Sequence, residues 1–308
     1  MDPKPSHLQE KRKQGTNSFP CTMYKADWYH YPEPQYFEVK PHWHDAFEII
    51  HFGKGTFQVS VNLQQFEVKE ETFFFLEGGE IHSILSHNCY EEQAILFERS
   101  ILSMTGLGTA QKDLLDPLTS GQLSIPLCIK NGDPGFQEVR NIFRDMQMVF
   151  EANGQMELDQ YLLYHSPFQL HVTADLLRLV ASLAENNILV MKENRQEEPR
   201  IEALKKVIVY IRENYASHIY IRELADIMNM NEQYFCRLFK KTLGKTPVEY
   251  MNEIRIRQAV RLLETSSLSV VDIANDCGFG TVGHIISVFR KNTGFTPLAY
   301  RKMHLEAG

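Results

Sequence analysis

The sequence is short of the signals that mark export, membrane insertion and disulfide chemistry. Its five cysteines, Cys21, Cys89, Cys128, Cys236 and Cys277, are odd in number and far apart. None forms a CxxC pair, so neither a zinc site nor a redox motif is expected and all five read as reduced thiols. No run approaches the ~20 apolar residues needed to span a bilayer. The first twenty residues are polar and lack the apolar stretch of a signal peptide. The expectation is a cytoplasmic protein with no membrane partner. At 308 residues, 43% hydrophobic and 23% charged, the composition is that of a globular chain with room for two packed domains.

Positive charge is outnumbered, 32 Lys and Arg against 39 Asp and Glu. The net charge of −7 taken alone argues against a nucleic-acid partner, but the charge is unevenly spread. From Arg200 onward there are 16 Lys and Arg against 11 Asp and Glu, which leaves 16 against 28 for residues 1–199. The C-terminal third alone is suited to meeting phosphates.

Between Pro41 and His82 the sequence reads as short strands: HDAFEIIHF, then TFQVSVNL with strict alternation, then QFEVKE and TFFFLE. Closely spaced strands of this kind predict a barrel or sandwich. After the turn-rich Asn131-Gly132-Asp133-Pro134-Gly135 the period becomes helical. Val139, Ile142, Phe143, Met146, Val149 and Phe150 recur at three- and four-residue spacing, and Leu170, Leu176, Leu177, Val180 and Leu183 do so again. These two amphipathic helices either pack on the barrel or pair with a second subunit. The charged segment KENRQEEPR, residues 192–200, reads as a linker between a sensing and dimerisation domain (1–191) and a C-terminal domain (201–308).

Self-similarity is the strongest signal in the chain. Residues 235–250 and 285–300 match at an offset of 50: Phe239 with Phe289, Lys241 with Lys291, Gly244 with Gly294, Thr246-Pro247 with Thr296-Pro297, Tyr250 with Tyr300. Upstream, Ala225 and Ala274 each precede a turn residue, Asn229 or Gly278, by four positions. A small residue where two short helices cross, followed by Gly or Asn in a left-handed turn, is what a helix-turn-helix needs. The second helices, Asn231–Leu243 and Thr281–Thr293, can then lie in the major groove, with Lys240-Lys241 and Arg290-Lys291 at their ends for backbone phosphates. Tyr234 is ambiguous between packing and DNA contact, whereas Phe235, Leu238, Phe239, Ile285, Val288 and Phe289 read as core. A helix from Pro247 through Leu263, ~17 residues at ~1.5 Å each, would separate the two readers by roughly 25 Å.

The stretch from Asn231 to Lys302, with Gly278-Phe279, the R-x-A-x-x-LL element of the connecting helix and the terminal FxKxxGxTPxxYR, resembles the AraC/XylS class of bacterial transcription regulators. The resemblance covers about a hundred residues. It implies base contacts from Gln233, Cys236 and Arg237 on the first recognition helix and from Val282, Gly283, His284 and Ser287 on the second. Arg237 can read guanine with two hydrogen bonds and Ser287 cannot, so the first unit is expected to dominate sequence choice.

In the barrel, His42-Trp43-His44-x3-Glu48-x6-Gly55 followed by Gly79-x2-His82 resembles the two cupin motifs, with Glu77 where the second usually has proline. On one strand His42, His44 and Glu48 would share parity and point into one cavity. In cupin enzymes such residues bind a divalent metal, whereas regulators with a similar HxH are not enzymes. Trp43, Phe47, Phe57, Phe73 and Phe75 make the barrel mouth aromatic, most of them as core, and a few rings beside His and Glu suit a sugar or small polar ligand.

The fold class expected is α+β: a cupin-like β-barrel with two following helices, then an all-α domain of two helix-turn-helix units joined by a long helix. The function expected is a DNA-binding transcription regulator, an activator controlled by a small-molecule effector held by His42, Trp43, His44, Glu48 and His82. No catalytic residue, metal or cofactor is assigned. The expected partners are an operator duplex, the effector and a second copy of the chain, and the resemblance admits RNA polymerase. Two alternatives stay open: a metal-dependent cupin enzyme fused to a DNA-binding domain, and a constitutive DNA binder whose barrel only dimerises, its cavity filled by aromatic side chains.

Overall fold

The computed structural model describes residues 8, 15, 19–27, 35–89, 91–104, 106–154, 158–191 and 198–307. The chain divides into two compact units, residues 1–195 and 196–308. Of the segment read as a linker, residues 192–197 lie outside the described residues, and a helix is already under way at 198. Among the described residues no helix is long and apolar enough to cross a membrane.

The first unit opens with eight strands: β1 (Cys21–Asp27), β2 (Gln35–His42), β3 (Phe47–Phe52), β4 (Phe57–Val61), β5 (Gln64–Val68), β6 (Thr72–Leu76), β7 (His82–Cys89) and β8 (Glu91–Phe97). Short helical turns lead into α1 (Asp116–Ser120), β9 (Leu123–Ser124) and β10 (Cys128–Lys130), and then come α2 (Phe136–Gly154), α3 (Leu158–Glu185) and β11 (Val190–Met191). A five-stranded sheet, in the order β1-β8-β3-β6-β10, faces a four-stranded sheet, β2-β7-β4-β5, and neighbouring strands in both run antiparallel.

The interior between the sheets is apolar. Ile50, Phe52, Phe74, Leu76, Ala94 and Leu96 from one sheet pack with Phe57, Val59, Val61, Val68 and Ile84 from the other. The opposite face of the five-stranded sheet carries Phe47, Ile49, Phe73, Phe75, Ile95 and Phe97, which join Val139, Phe143, Leu176 and Leu183 of α2 and α3 in a second core. Both helices therefore pack on the barrel. Leu170, read as part of the apolar stripe, is 71% exposed and does not join it. This double covering explains two sequence patterns. β3 and β6 are buried at every position and read as unbroken apolar runs, whereas β4 alternates because only one of its faces is covered.

The second unit is helical: α4 (Glu198–Asn214), α5 (Ile221–Ile227), α6 (Glu232–Leu243), α7 (Pro247–Thr265), α8 (Val270–Asp276), α9 (Val282–Thr293) and α10 (Pro297–Ala307). Its starts and stops follow capping chemistry. Asn231 and Thr281 accept hydrogen bonds from the backbone N–H groups of Tyr234 and His284, and left-handed Gly244 and Gly294 close the same two helices. Thr246 and Glu249 form a reciprocal cap, with Pro247 in the first turn of α7. In the first repeat the rings of Phe235, Phe239 and Tyr250 pack in succession; in the second, Phe289 meets Tyr300 at 5.6 Å.

Candidate functional site

The histidine motif folds differently from the single-strand picture. His42 ends β2, His44 lies in the bend that follows, and Glu48 stands on β3 in the other sheet. The residues converge because the chain crosses from one sheet to the other, not because they alternate along a strand. His82 completes the group as the register partner of His42 on β7.

The ring centroids of His42 and His82 are 4.2 Å apart, those of His44 and His82 5.2 Å. The Glu48 carboxylate sits 3.2 Å from His44 Nε2 and 3.0 Å from His82 Nε2. The contact with His82 is an ion-pair approach without hydrogen-bond alignment, and His82 Nε2 is a buried atom with no hydrogen-bond partner. Burial alone would raise the Glu48 pKa, but the facing His82 and His44 outweigh it and hold the carboxyl below its ordinary range. Burial and the neighbouring His82 press His42 down to about 3. Burial opposes protonation of His82 too, yet Glu48 prevails and raises its pKa above the ordinary value. His42, His44 and His82 each offer a ring nitrogen within 4.8 Å of the others. These three imidazoles fit a divalent cation, with the Glu48 carboxylate beside two of them.

Trp43 is buried between the two histidines in sequence, and its backbone N–H donates to the Leu8 carbonyl. The aromatic mouth is corrected by strand parity: Phe47, Phe73 and Phe75 lie on the face covered by α2 and α3, and Phe57 lies in the inter-sheet core. Phe52, Phe57, Phe66 and Phe74 fill that part of the interior with ring contacts. An apolar cavity of about 20 Å³ lies between Phe47, Phe75, Leu176 and Val180, room for roughly one water and far less than a sugar needs. Glu48 of the polar corner also lines this cavity, so the two adjoin, and the corner is the candidate effector site. Sequence reading missed Glu92, which is buried and shares strand parity with Ala94 and Leu96 of the interior. Its place in the alternation of EEQAILF was the available signal.

The DNA-facing candidates are arranged on α6 and α9. Gln233, Tyr234, Arg237, Lys240 and Lys241 are exposed and Cys236 is half-buried. On α9, Gly283, His284, Ser287, Arg290 and Lys291 are exposed and Val282 is half-buried. The residues expected as core, Phe235, Leu238, Phe239, Ile285 and Phe289, are buried, and Val288 packs half-buried against them. Tyr234 is 40% exposed, so its ring is open to a partner. Exposed Glu249 at the start of α7 has its carboxyl pKa lowered, first by hydrogen bonds from Thr246 and further by Lys291 and Lys240. One carboxylate therefore feels the basic ends of both recognition helices. α7, at 19 residues and ~1.5 Å each, is roughly 28 Å long.

Residues 224–303 match a helix-turn-helix domain family, and residues 29–146 match the AraC-like ligand binding domain. The uncharacterized HTH-type transcriptional regulator YdeC of Bacillus subtilis is 22% identical over 266 residues, 85% of this chain and 86% of that protein. The melibiose operon regulatory protein of Escherichia coli K12 is 22% identical over 267 residues, 85% and 83% of the two chains. The HTH-type transcriptional activator RhaS of Citrobacter koseri is 24% identical over 264 residues, 85% and 87%. Among solved structures, the DNA-binding domain of AdpA in complex with a target DNA is 31% identical, covers 34% of this chain and 95% of that one, and has a TM-score of 0.33.

Proposed function

The chain belongs to the AraC family of transcription regulators, and from that premise we propose that it activates transcription by setting α6 and α9 into neighbouring major grooves of an operator. A small polar effector, such as a sugar, controls this step from the corner formed by His42, Trp43, His44, Glu48 and His82. The observation that carries the DNA half is the repeated recognition helix, each copy capped, amphipathic and basic at its end, with Lys240 and Lys291 both acting on Glu249. Base contacts are assigned to Gln233, Cys236, Arg237, Val282, Gly283, His284 and Ser287, a DNA contact of unspecified kind to Tyr234, and phosphate contacts to Lys240, Lys241, Arg290 and Lys291. Activation is the role for which the related transcriptional activator RhaS is named.

The protein works in the cytoplasm without catalysing a reaction. It acts as a homodimer, for which the exposed Met148 and Leu170 of α2 and α3 offer apolar surface, and it meets RNA polymerase at the promoter. Residues 1–191 sense and dimerise, 192–200 link, and 201–308 bind DNA. Effector binding changes how the paired DNA-binding domains are presented, and joint binding by linked readers turns a small change of geometry into a large change of occupancy. The test is a thermal-shift screen of sugars and small polar metabolites on the full-length protein, followed by DNA binding with each hit. A ligand that binds the folded state raises its apparent stability. Hits that leave operator occupancy unchanged would refute the switch.

The three clustered imidazoles, with His82 Nε2 held 3.0 Å from the Glu48 carboxylate but without an aligned hydrogen bond, favour a second reading, in which the corner holds a divalent cation such as iron or manganese. His42, His44 and His82 would be its ligands, with Glu48 beside them, and a metal there would supply Lewis-acid or redox chemistry to a cupin enzyme fused to the DNA-binding unit. Elemental analysis of the purified protein and of His42→Ala separates the two: stoichiometric metal lost in the variant favours the cation, and metal-free protein removes it.

A further inference from the structure

We propose that residues 215–217, between α4 and α5, brace the two helix-turn-helix units against each other, with Arg255 and Gly278 as the positioning residues that fix the spacing of the recognition helices. This rests on the reading that both helices engage DNA together.

The covalent link between the units is α7. Near its start Tyr250 packs with Phe239 of the first unit, while Ile256, Ala259 and Leu263 belong to the core of the second. Helices differ in their gentle curvature, so the length of α7 alone does not define the angle between its two ends. Arg255 sits between those two packed stretches. Its Nε donates to the Tyr215 carbonyl at 2.8 Å and its Nη2 to the Ser217 carbonyl at 2.9 Å, a forked, charge-assisted grip on a single loop.

The same loop meets the turn of the second unit. Gly278 has φ +75°, and a Cβ there would stand 2.6 Å from the Ala216 carbonyl oxygen and 2.8 Å from that of Tyr215. The protein contains its own comparison. The corresponding turn of the first unit is held by Asn229 at φ 52°, and Gly244 and Gly294, also left-handed, would meet nothing within 4 Å. A left-handed turn therefore does not by itself require glycine here, and the approach of Ala216 does. The second turn is also one residue longer than the first: α5 and α8 are related by an offset of 49, α6 and α9 by 50. Three consecutive residues thus fasten the connecting helix on one side and the second turn on the other.

The test uses the full-length protein and a duplex that it selects from a random-sequence pool, footprinted to locate the two contacted segments. Derivatives carry either segment alone, or one to five extra base pairs between them. Arg255→Gln and Gly278→Asn, the latter grafting the residue of the first unit, are expected to bind the intact duplex about ten-fold more weakly. They should hold single segments within about two-fold of wild type, because the loss falls on joint binding. They should also lose less than wild type when base pairs are inserted. Arg255→Lys, which keeps the charge but reaches one carbonyl, falls between, and Asn229→Gly behaves as wild type. Variants with wild-type affinity and spacing dependence overturn the brace, as does an equal loss on single and paired segments. A wild-type footprint confined to one segment, insensitive to insertions, defeats the two-reader premise itself and the brace with it.

Discussion

His82 Nε2 lies 3.0 Å from Glu48 Oε2, and the two residues belong to different sheets, so one ion pair closes the seam between the walls of the barrel. The pair is almost wholly buried. Its value lies less in net attraction than in the cost of breaking it, since a lone charge left behind has no water to turn to.

Glu48→Gln should therefore destabilise the first unit by about 3–5 kcal/mol, the usual cost of removing one partner of a buried pair. The measurement is a thermal melt of full-length protein followed by the barrel's tryptophan fluorescence. An unchanged melting temperature would show that the two sheets do not depend on this contact.

Glu92 predicts a pH dependence. Burial, helped by the Glu48 carboxylate, pushes its carboxyl up to about 8. The folded protein then keeps a proton that the unfolded chain gives up near pH 4.5, so the stability from this group is full below 4.5 and is lost as pH rises through 8. Relative to wild type, Glu92→Gln should be nearly neutral at pH 5 and more stable at pH 8.5, by about 2–4 kcal/mol. Denaturant melts of both proteins at the two pH values give the comparison; a constant difference would contradict it.

Arg237 and Ser287 occupy equivalent exposed positions on α6 and α9. Arg237→Ala should relax base preference in the first segment by about 1–3 kcal/mol, and Ser287→Ala should do far less. Binding to a set of single-base operator variants measures both. Equal losses would show that the two units share the reading evenly.

Lys240, Lys241, Arg290 and Lys291 should act on affinity without altering sequence preference. Each replaced by Gln should lower the slope of log affinity against log salt by about 0.9 if it neutralises one phosphate. A salt titration of each variant reads this directly, and an unchanged slope would return that residue to solvent.

Much of this architecture was legible because periodicity and burial coincide. The unbroken apolar runs of β3 and β6 and the alternation of β4 follow from which faces are covered, and the fifty-residue repeat placed α6 and α9 to within a residue of their observed bounds. β1, β2, β7 and β8 went unread. β8 opens on two glutamates yet is buried almost throughout, so it shows no alternation, whereas β2 does alternate, with Phe37 and Val39 half-buried between exposed Tyr36, Glu38 and Lys40, and that signal was available. The histidine corner was found by residue type but given the wrong geometry, because spacing along a chain does not reveal that it crosses between sheets. The grip of Arg255 left no trace in sequence at all: its acceptors are main-chain carbonyls some forty residues away, and every residue carries a carbonyl.

The one-residue mismatch between the two repeats makes the halves of this domain non-interchangeable. Two readers that follow one another along one chain, in fixed order and with different side chains, give a single protein molecule a heading on a duplex. The segment that one such molecule grips would have a front and a back, and turning that segment end for end would turn the molecule with it.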